Sequence, residues 1–270
     1  MSTVPAIALD GVSISYALAG GGRYDAVAPC DVGVDDGAFV SIVGPTGCGK
    51  STLLNVAAGL AAPTKGSVRI FGEPLAGINA RAGYLFQQDA LMPWKSALDN
   101  VAIGLEIRGV ARAEAEREAR AMLARVGLRD FGDRYPHQLS GGQKKRVALA
   151  QVLVRHPKIL LMDEPFGPLD AQTRLIMGEL LCGLWQADRK AVMFVTHDLD
   201  EAIGLSDRVL IMSAGPQSRI IGDFAIGLDR PRDLGEIRND PRFHRLHKEI
   251  WDVLRDEVRK TYGMAAEGTT

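Results

Sequence analysis

The chain lacks nearly everything that would take it into a membrane or hold it together outside a cell. No stretch approaches the roughly eighteen consecutive apolar residues of a membrane span, and the apolar run at 159–162 is short enough to be a buried strand. The N-terminus has no basic segment followed by a long apolar core, so it does not read as a signal peptide. Cysteine is scarce: Cys30, Cys48 and Cys182 are too few and too scattered for a disulfide framework or a metal site, and they suggest a reducing compartment. An excess of one charge is missing too. Thirty-two Lys and Arg stand against 33 Asp and Glu, a net charge of −1. That balance argues against a dominant polyanion-binding surface and against nucleic acid as a partner.

What is present is an ordinary globular composition, 46% hydrophobic and 24% charged. At 270 residues it can bury one sizeable core and a smaller satellite unit. Alternation over 6–17 and short apolar segments over 26–34 predict an antiparallel β-region, with Gly20-Gly21-Gly22 as a turn within it. Strands are expected at 67–71 and 83–86. From 89 to 156 the pattern turns helical, at 98–107, 112–126 and 141–155. Parallel strands return at 159–162 and 191–196, alternating with helices at 172–186 and 198–205. A hairpin-like pair follows at 208–212 and 218–224. Phe243, Leu246, Ile250, Leu254 and Val258 then recur at helical spacing. That last stripe packs on its own core or docks a partner. The fold class is α/β, and four segments are expected. They are 1–88 with an antiparallel β-subdomain, 89–156 as an inserted helical subdomain, 157–226 as the rest of the core, and 227–270 as a helical extension.

Residues 44–52 are Gly44, Pro45, Thr46, Gly47, Cys48, Gly49, Lys50, Ser51 and Thr52, which fit the phosphate-loop pattern GxxxxGK[ST] between a strand at 39–43 and a helix at 50–60. Glycines let the backbone close around a polyphosphate with successive N–H groups aimed at its oxygens. Lys50 would bring a charge to the β- and γ-phosphates and Ser51 a hydroxyl to Mg²⁺. Cys48, beside Lys50 and a helix start, is expected to titrate below the usual thiol range and, where accessible, to react with a maleimide unless nucleotide covers it. The strand at 159–162 ends in Asp163 and Glu164. At the carboxyl edge of a parallel sheet, Asp163 can hold Mg²⁺ through its water shell and Glu164 can orient or deprotonate a water. Ser140-Gly141-Gly142 precedes a helix that starts with Gln143, either a second anion site or an ordinary capped helix start.

Leu139 to Gln143 read Leu-Ser-Gly-Gly-Gln. With this motif and the phosphate loop, the chain resembles the ATP-binding cassette subunits of ABC transporters from Ile7 to about Ile226. Leu91-Met92-Pro93-Trp94, Asp163-Glu164-Pro165-Phe166-Gly167 and Arg230-Pro231-Arg232-Asp233 look like the cassettes of bacterial nitrate, sulfonate and taurine importers. The resemblance implies a P-loop NTPase (RecA-like) core that hydrolyses ATP with Mg²⁺. It implies that Gln87 (or Gln88 beside it) reaches Mg²⁺, the water and the membrane subunit, and that His197 holds the water and Glu164 in register. Tyr16 would stack on adenine, with Tyr24 as the competitor. Ser140, Gly141, Gly142 and Gln143 would close over the γ-phosphate held by another copy, and Asp170 would connect the two sites.

Partners implied are a homodimer of cassettes (or a pairing with a related cassette), transmembrane permease subunits that supply the membrane path, and a periplasmic or lipid-anchored substrate-binding protein. The expected location is peripheral, on the cytoplasmic side of the inner membrane. A different reading is a soluble ABC-type ATPase without a permease. Leu91, Met92 and Trp94 form either a groove for a partner helix or subdomain core. Pro168 replaces the family's usual small residue before Leu169-Asp170 and stiffens that loop. Lys144-Lys145 stand where the family more often has other polar or basic residues, and the sequence attaches no role to them.

Overall fold

The computed structural model describes residues 4–261; residues 1–3 and 262–270, the outer ends of the first and last expected segments, lie outside them. Two long antiparallel strands, β1 (Ile7–Ala17) and β2 (Arg23–Val34), are joined through the triple-glycine turn, where Leu18 N donates to Gly22 O at 3.2 Å. β3 (Phe39–Val43) leads through the phosphate loop into α1 (Lys50–Ala58). β4 (Lys65–Ile70) pairs antiparallel with β1, and the short β5 (Glu73–Pro74) pairs with β4, completing a sheet in the order β2-β1-β4-β5. β6 (Ala82–Leu85) leaves for a second sheet.

Three helices follow, α2 (Ala97–Glu106), α3 (Arg112–Arg125) and α4 (Gly141–Leu153). The chain then alternates through β7 (Ile159–Asp163), α5 (Ala171–Ala187), β8 (Ala191–Val195), α6 (Leu199–Leu205) and β9 (Arg208–Met212). It closes with β10 (Ile220–Ala225) and α7 (Pro241–Thr261). The second sheet runs β10-β9-β3-β8-β7-β6; every pair is parallel except β9 with the edge strand β10.

The central strands read as nearly unbroken apolar runs because both faces are covered. Their side chains alternate between two cores. Phe39, Leu160, Met162 and Phe194 point to the face shared with α2–α5, where Phe39 meets the Phe194 ring at 5.7 Å and the Trp185 ring at 5.8 Å between centroids. Val40, Ile42, Leu161 and Val195 point to the face shared with α1 and the antiparallel sheet. The stripe on α7 packs inward: Phe243, Ile250 and Leu254 are buried with Leu199 and Ile203 of α6 and with Val209 and Ile211 of β9. Trp251 stands off that stripe, 41% exposed. The neighbouring order β3-β8-β7 brings the loops after all three strands to one edge of the sheet, the place where parallel sheets bind ligands.

Candidate functional site

The loop after β3 is shaped by positions that tolerate only glycine. Gly49 caps α1 at φ +99°, a left-handed backbone, and a Cβ there would lie 2.7 Å from Val27 Cγ2. A Cβ on Gly44 would lie 2.9 Å from Met212 O. The start of α1 has no side-chain cap and no acidic residue in its first turn, so its amides and positive dipole end are left for an anion. Lys50 is buried and folds back over the loop, Nζ donating to Gly44 O at 2.9 Å and to Pro45 O at 3.0 Å.

In the first turn of α1, Ser51 Oγ donates to Asp163 Oδ1 at 2.8 Å, joining the loop to the end of β7. Tyr84 of β6 approaches the other carboxylate oxygen at 3.5 Å and donates to Asn55 Oδ1 at 3.0 Å. Burial pushes the Asp163 carboxyl above its ordinary range, although the Ser51 hydrogen bond works in the opposite direction. A hydroxyl beside a desolvated carboxylate is an oxygen donor set that fits a hard divalent cation, whose charge would offset that desolvation.

Glu164, the next residue, has φ +41°, uncommon for a residue with a side chain. Its amide donates to Val195 O at 2.9 Å, so β8 holds the turn in place. The turn directs the carboxylate to His197 at the end of β8, with Oε2 3.1 Å from Nδ1. Backbone strain held by the surrounding sheet at a strand end is a mark of a working site. Gly167 lies against the same pair: a Cβ there would sit 3.7 Å from His197 Cε1 and 3.9 Å from Glu164 Oε2.

The phosphate loop, Ser51, Asp163, Glu164 and His197 are thus brought to one edge. Other residues named from the sequence are not joined to them. Gln87 and Gln88 are both exposed after β6, and neither side chain makes a hydrogen bond among the described residues. Tyr16 and Tyr24 face each other in register across β1 and β2, 49% and 40% exposed, and Tyr24 Oη reaches toward Gly215. Leu91 packs on the core and Met92 lines a groove, whereas Trp94 is 74% exposed.

Cys48 requires a correction. Its thiol is 1% exposed, and burial pushes its titration up; the Lys50 ammonium opposes that shift without overcoming it. Thr46 and Gly47 of the loop are exposed while the Cys48 side chain turns into the core, so the electrostatic gain expected beside Lys50 is smaller than the cost of desolvating a thiolate.

Ser140 begins α4 elsewhere on the molecule. Its Oγ accepts from Gln143 N at 3.3 Å and Gln143 Oε1 accepts from Ser140 N at 2.9 Å, a reciprocal capping box. Asp170 likewise caps α5, accepting from Thr173 N at 2.9 Å and Thr173 Oγ1 at 2.6 Å, and these bonds hold its carboxyl below the usual range. The two helix starts touch: a Cβ on Gly142 would come 2.6 Å from Thr173 Cγ2. Among the described residues no hydrogen bond joins 140–143 to the phosphate loop.

Three residues escape a reading of the sequence. Ser218 supports the phosphate loop from below, its Oγ donating to Ala26 O at 3.0 Å and also to Cys48 O; a lone serine after a turn carries no signal. Arg174 donates to Asp198 Oδ2 at 2.8 Å and to Leu169 O at 3.1 Å, tying the start of α5 to the segment after His197. Lys145 is buried against the loop after β6. It had a signal: it lies three and four residues before the buried Ala148 and Leu149, on the core-facing side of α4.

Comparison with known proteins agrees with this arrangement. The sequence profile described as "ABC transporter" matches residues 27–167. The chain is 45% identical over 91% of its length to a taurine import ATP-binding protein of Chromobacterium violaceum, 94% of which is covered. It is 40% identical over 93% of its length to the bicarbonate transport ATP-binding protein of a Synechocystis strain, 90% of which is covered. Among solved structures, a dimeric ATP-binding cassette in a post-hydrolysis state bound to ADP and Pi superposes with a TM-score of 0.72 at 31% identity, covering 83% of this chain and all of that one. The chain belongs to the ABC transporter family, as an ATP-binding and ATP-hydrolysing subunit with the P-loop NTPase fold.

Proposed function

We propose that this ATPase energises a bacterial importer of the nitrate, sulfonate or taurine type by hydrolysing ATP between two cassettes and passing the change to a membrane permease. The observation that carries the catalytic part is the 3.1 Å contact between Glu164 Oε2 and His197 Nδ1 beside the Ser51–Asp163 pair. In this reading the amides of the loop at 44–52 bind the phosphates, and Lys50 exchanges its loop carbonyls for phosphate oxygens. Ser51, Asp163 and Gln87 hold the metal. Mg²⁺, when bound, neutralises charge on the phosphate oxygens. Glu164 orients the attacking water and takes its proton, and His197 holds the carboxylate and the γ-phosphate in register. Tyr16 stacks on the base.

The helix start at 140–143 completes the site of a second copy, and Asp170 lies between the two sites. Two features support this: among the described residues no hydrogen bond joins 140–143 to its own phosphate loop, and the structural neighbour is itself a dimer. ATP favours the closed pair by binding it better than the open one, and hydrolysis removes that preference.

Partner docking is supported by a groove of about 390 Å³ between β6 and α2, lined by Phe86, Met92, Ile103, Ile107 and Arg155. Ile107 there is 79% exposed, and Arg155 Nε is buried without a hydrogen-bond partner. The groove suits an amphipathic partner helix that brings a carboxylate, which a permease on the cytoplasmic face of the inner membrane would provide. The names of the taurine and bicarbonate relatives support an importer of small anionic or zwitterionic solutes; in this reading a substrate-binding protein delivers them.

The test is Glu164→Gln. It should keep ATP affinity, lower turnover by about 10² or more because only the proton acceptor is lost, and trap an ATP-dependent dimer. Near-normal steady-state hydrolysis would refute the assignment. The permease is tested by affinity purification from detergent-solubilised membranes of cells carrying wild type or Ile107→Glu. A multi-span protein retained by wild type and lost by the variant supports the importer; no such protein with either chain favours the ATPase without a permease.

A further inference from the structure

Lys145 is 2% exposed, and all of its polar contacts run to one place. Its Nζ donates to Gln87 O at 2.9 Å and pairs with Asp89 Oδ1 at 2.8 Å. A buried ammonium is costly unless such partners offset its lost hydration. Among the described residues, the loop after β6 therefore supplies all the polar compensation this charge has. The far end of the same loop is fastened as firmly. Asn100 on α2, fully buried, accepts from Met92 N at 2.7 Å and donates to the carbonyls of Met92, Lys95 and Ser96 at 3.1, 3.0 and 2.9 Å.

Both fastenings belong to the helical block. Among the described residues, no hydrogen bond ties 87–96 to the six-stranded sheet from which the loop departs. Lys145 also lies in the second turn of the helix that begins at Gly141, so one side chain links the backbone of Gln87 to the Ser140–Gly141 helix start.

We propose that Lys145 is a positioning residue for ATP hydrolysis: its contacts with Gln87 and Asp89 clamp the loop after β6 to α4, so that Gln87 and the Ser140–Gly141 helix start move as one body. The inference rests on the roles given above to Gln87 and to the helix start. A loose clamp leaves nucleotide binding at the phosphate loop alone but lets Gln87 fall out of step with the closing helix. Because misplacements of about 1 Å can cost as much as about 10² in rate, the effect belongs in kcat and not in affinity.

The full chain carrying Lys145→Met, Asp89→Asn, both together, or Lys145→Arg tests this. Lys145→Met should lower kcat about tenfold or more while fluorescent-ATP affinity and the thermal midpoint stay close to wild type. Amide exchange over 87–92 should accelerate without nucleotide. Lys145→Arg, which keeps a cation, should recover most of the rate, and the double variant should be no slower than Lys145→Met, since Lys145→Met already removes the Lys145–Asp89 pair.

Wild-type kcat in Lys145→Met overturns the proposal, as does a fall that tracks lost affinity and lost thermal stability. If Lys145→Met does not fold, Asp89→Asn is read in the same way. Gln87→Ala and Gly141→Asp are the controls. Slowed controls beside an unslowed Lys145→Met overturn this inference alone, whereas unslowed controls overturn the reading beneath it and the inference with it.

Discussion

The edge at the ends of β3, β7 and β8 and the helix start at Ser140 use the same materials, glycine and a helix N-terminus, and finish them differently. At the edge, α1 has no capping side chain, and four groups from three elements converge: Ser51 of α1, Asp163 and Glu164 at the end of β7, and His197 after β8. At Ser140 the helix is closed by its own capping box, and its start touches the start of α5. An uncapped start backed by a lysine and two carboxylates is a site that already has its chemistry. A capped glycine start on which no catalytic side chain converges among the described residues is, in the proposed reading, a surface for something supplied from outside. Under the proposed reading, one chain presents a nearly complete half-site and a separate face that completes another.

The largest test of that division is Gly141→Asp. A Cβ at 141 would meet nothing closer than Leu169 Cδ2 at 3.8 Å, so the chain should fold, whereas one at 142 would press on Thr173 at 2.6 Å and confuse the result. Hydrolysis should fall by about 10² or more, the scale of losing a preorganised anion-stabilising site, while the monomer binds ATP as before. Loss of nucleotide binding by the monomer would mean that the segment serves its own phosphate loop.

A smaller but sharper effect comes from mixing two inactive chains, Lys50→Ala and Gly141→Asp. A mixed dimer contains one intact phosphate loop facing one intact helix start. Phosphate release should reappear on mixing and be absent from either chain alone. Silence after mixing, with dimers shown to form, would break the two-chain division.

The edge was largely legible because its residues are local: a nine-residue loop, a strand ending in two carboxylates, and a His after a strand. Their convergence follows once the strands are parallel and adjacent. The central strands were legible for a related reason, since segments buried on both faces carry no polar alternation. Burial direction inside a loop was not legible, which is why Cys48 was expected to be reactive. Nor were the partners of Lys145, Arg174 and Ser218, which lie 58, 24 and 170 residues away in sequence and obey no spacing rule, although helical spacing did mark Lys145 as core-facing. The ends of elements moved by a residue or two, as where Gly59 stops α1 in a left-handed turn before Leu60.

Between the two regions lies a titrating group. Glu201 is buried beside Thr196, Asp198, Arg174 and His197, and burial raises its carboxyl to about 7, against the opposing hydrogen bond from Thr196. Its ordinary value is 4.5. Between these values the folded chain holds a proton that the unfolded chain has lost, so stability should fall as pH rises from about 4.5 through about 7. The total is on the order of 3 kcal/mol. Glu201→Gln should remove that slope, so urea midpoints at pH 5 and pH 8 should converge in the variant and diverge in the wild type. A parallel pair of curves would show that Glu201 is ionised in the fold.

The smallest expected effect sharpens the comparison from inside the edge. Thr46 and Gly47 of the phosphate loop are exposed, yet Cys48 faces the core and is 1% exposed. A buried thiol whose titration is pushed up is a poor nucleophile toward maleimide at neutral pH. Cys30 and Cys182 are buried as well, and burial raises Cys30 to about 11, so the native chain should label slowly at all three positions. ATP should then change the labelling rate at Cys48 little, because the fold already protects it. Cys48→Ser exchanges a small apolar group for a hydroxyl in a tight space, where a Cβ on Gly44 would lie 3.0 Å from the sulfur. A buried hydroxyl without a partner costs about 1–3 kcal/mol, so the variant should lose some thermal stability and keep its turnover within about twofold. The measurement is peptide mapping of labelled protein with and without ATP. Rapid, ATP-protected labelling at Cys48 would mean that the loop opens far enough in solution to turn this side chain out, and the division between exposed loop residues and inward side chain would fail.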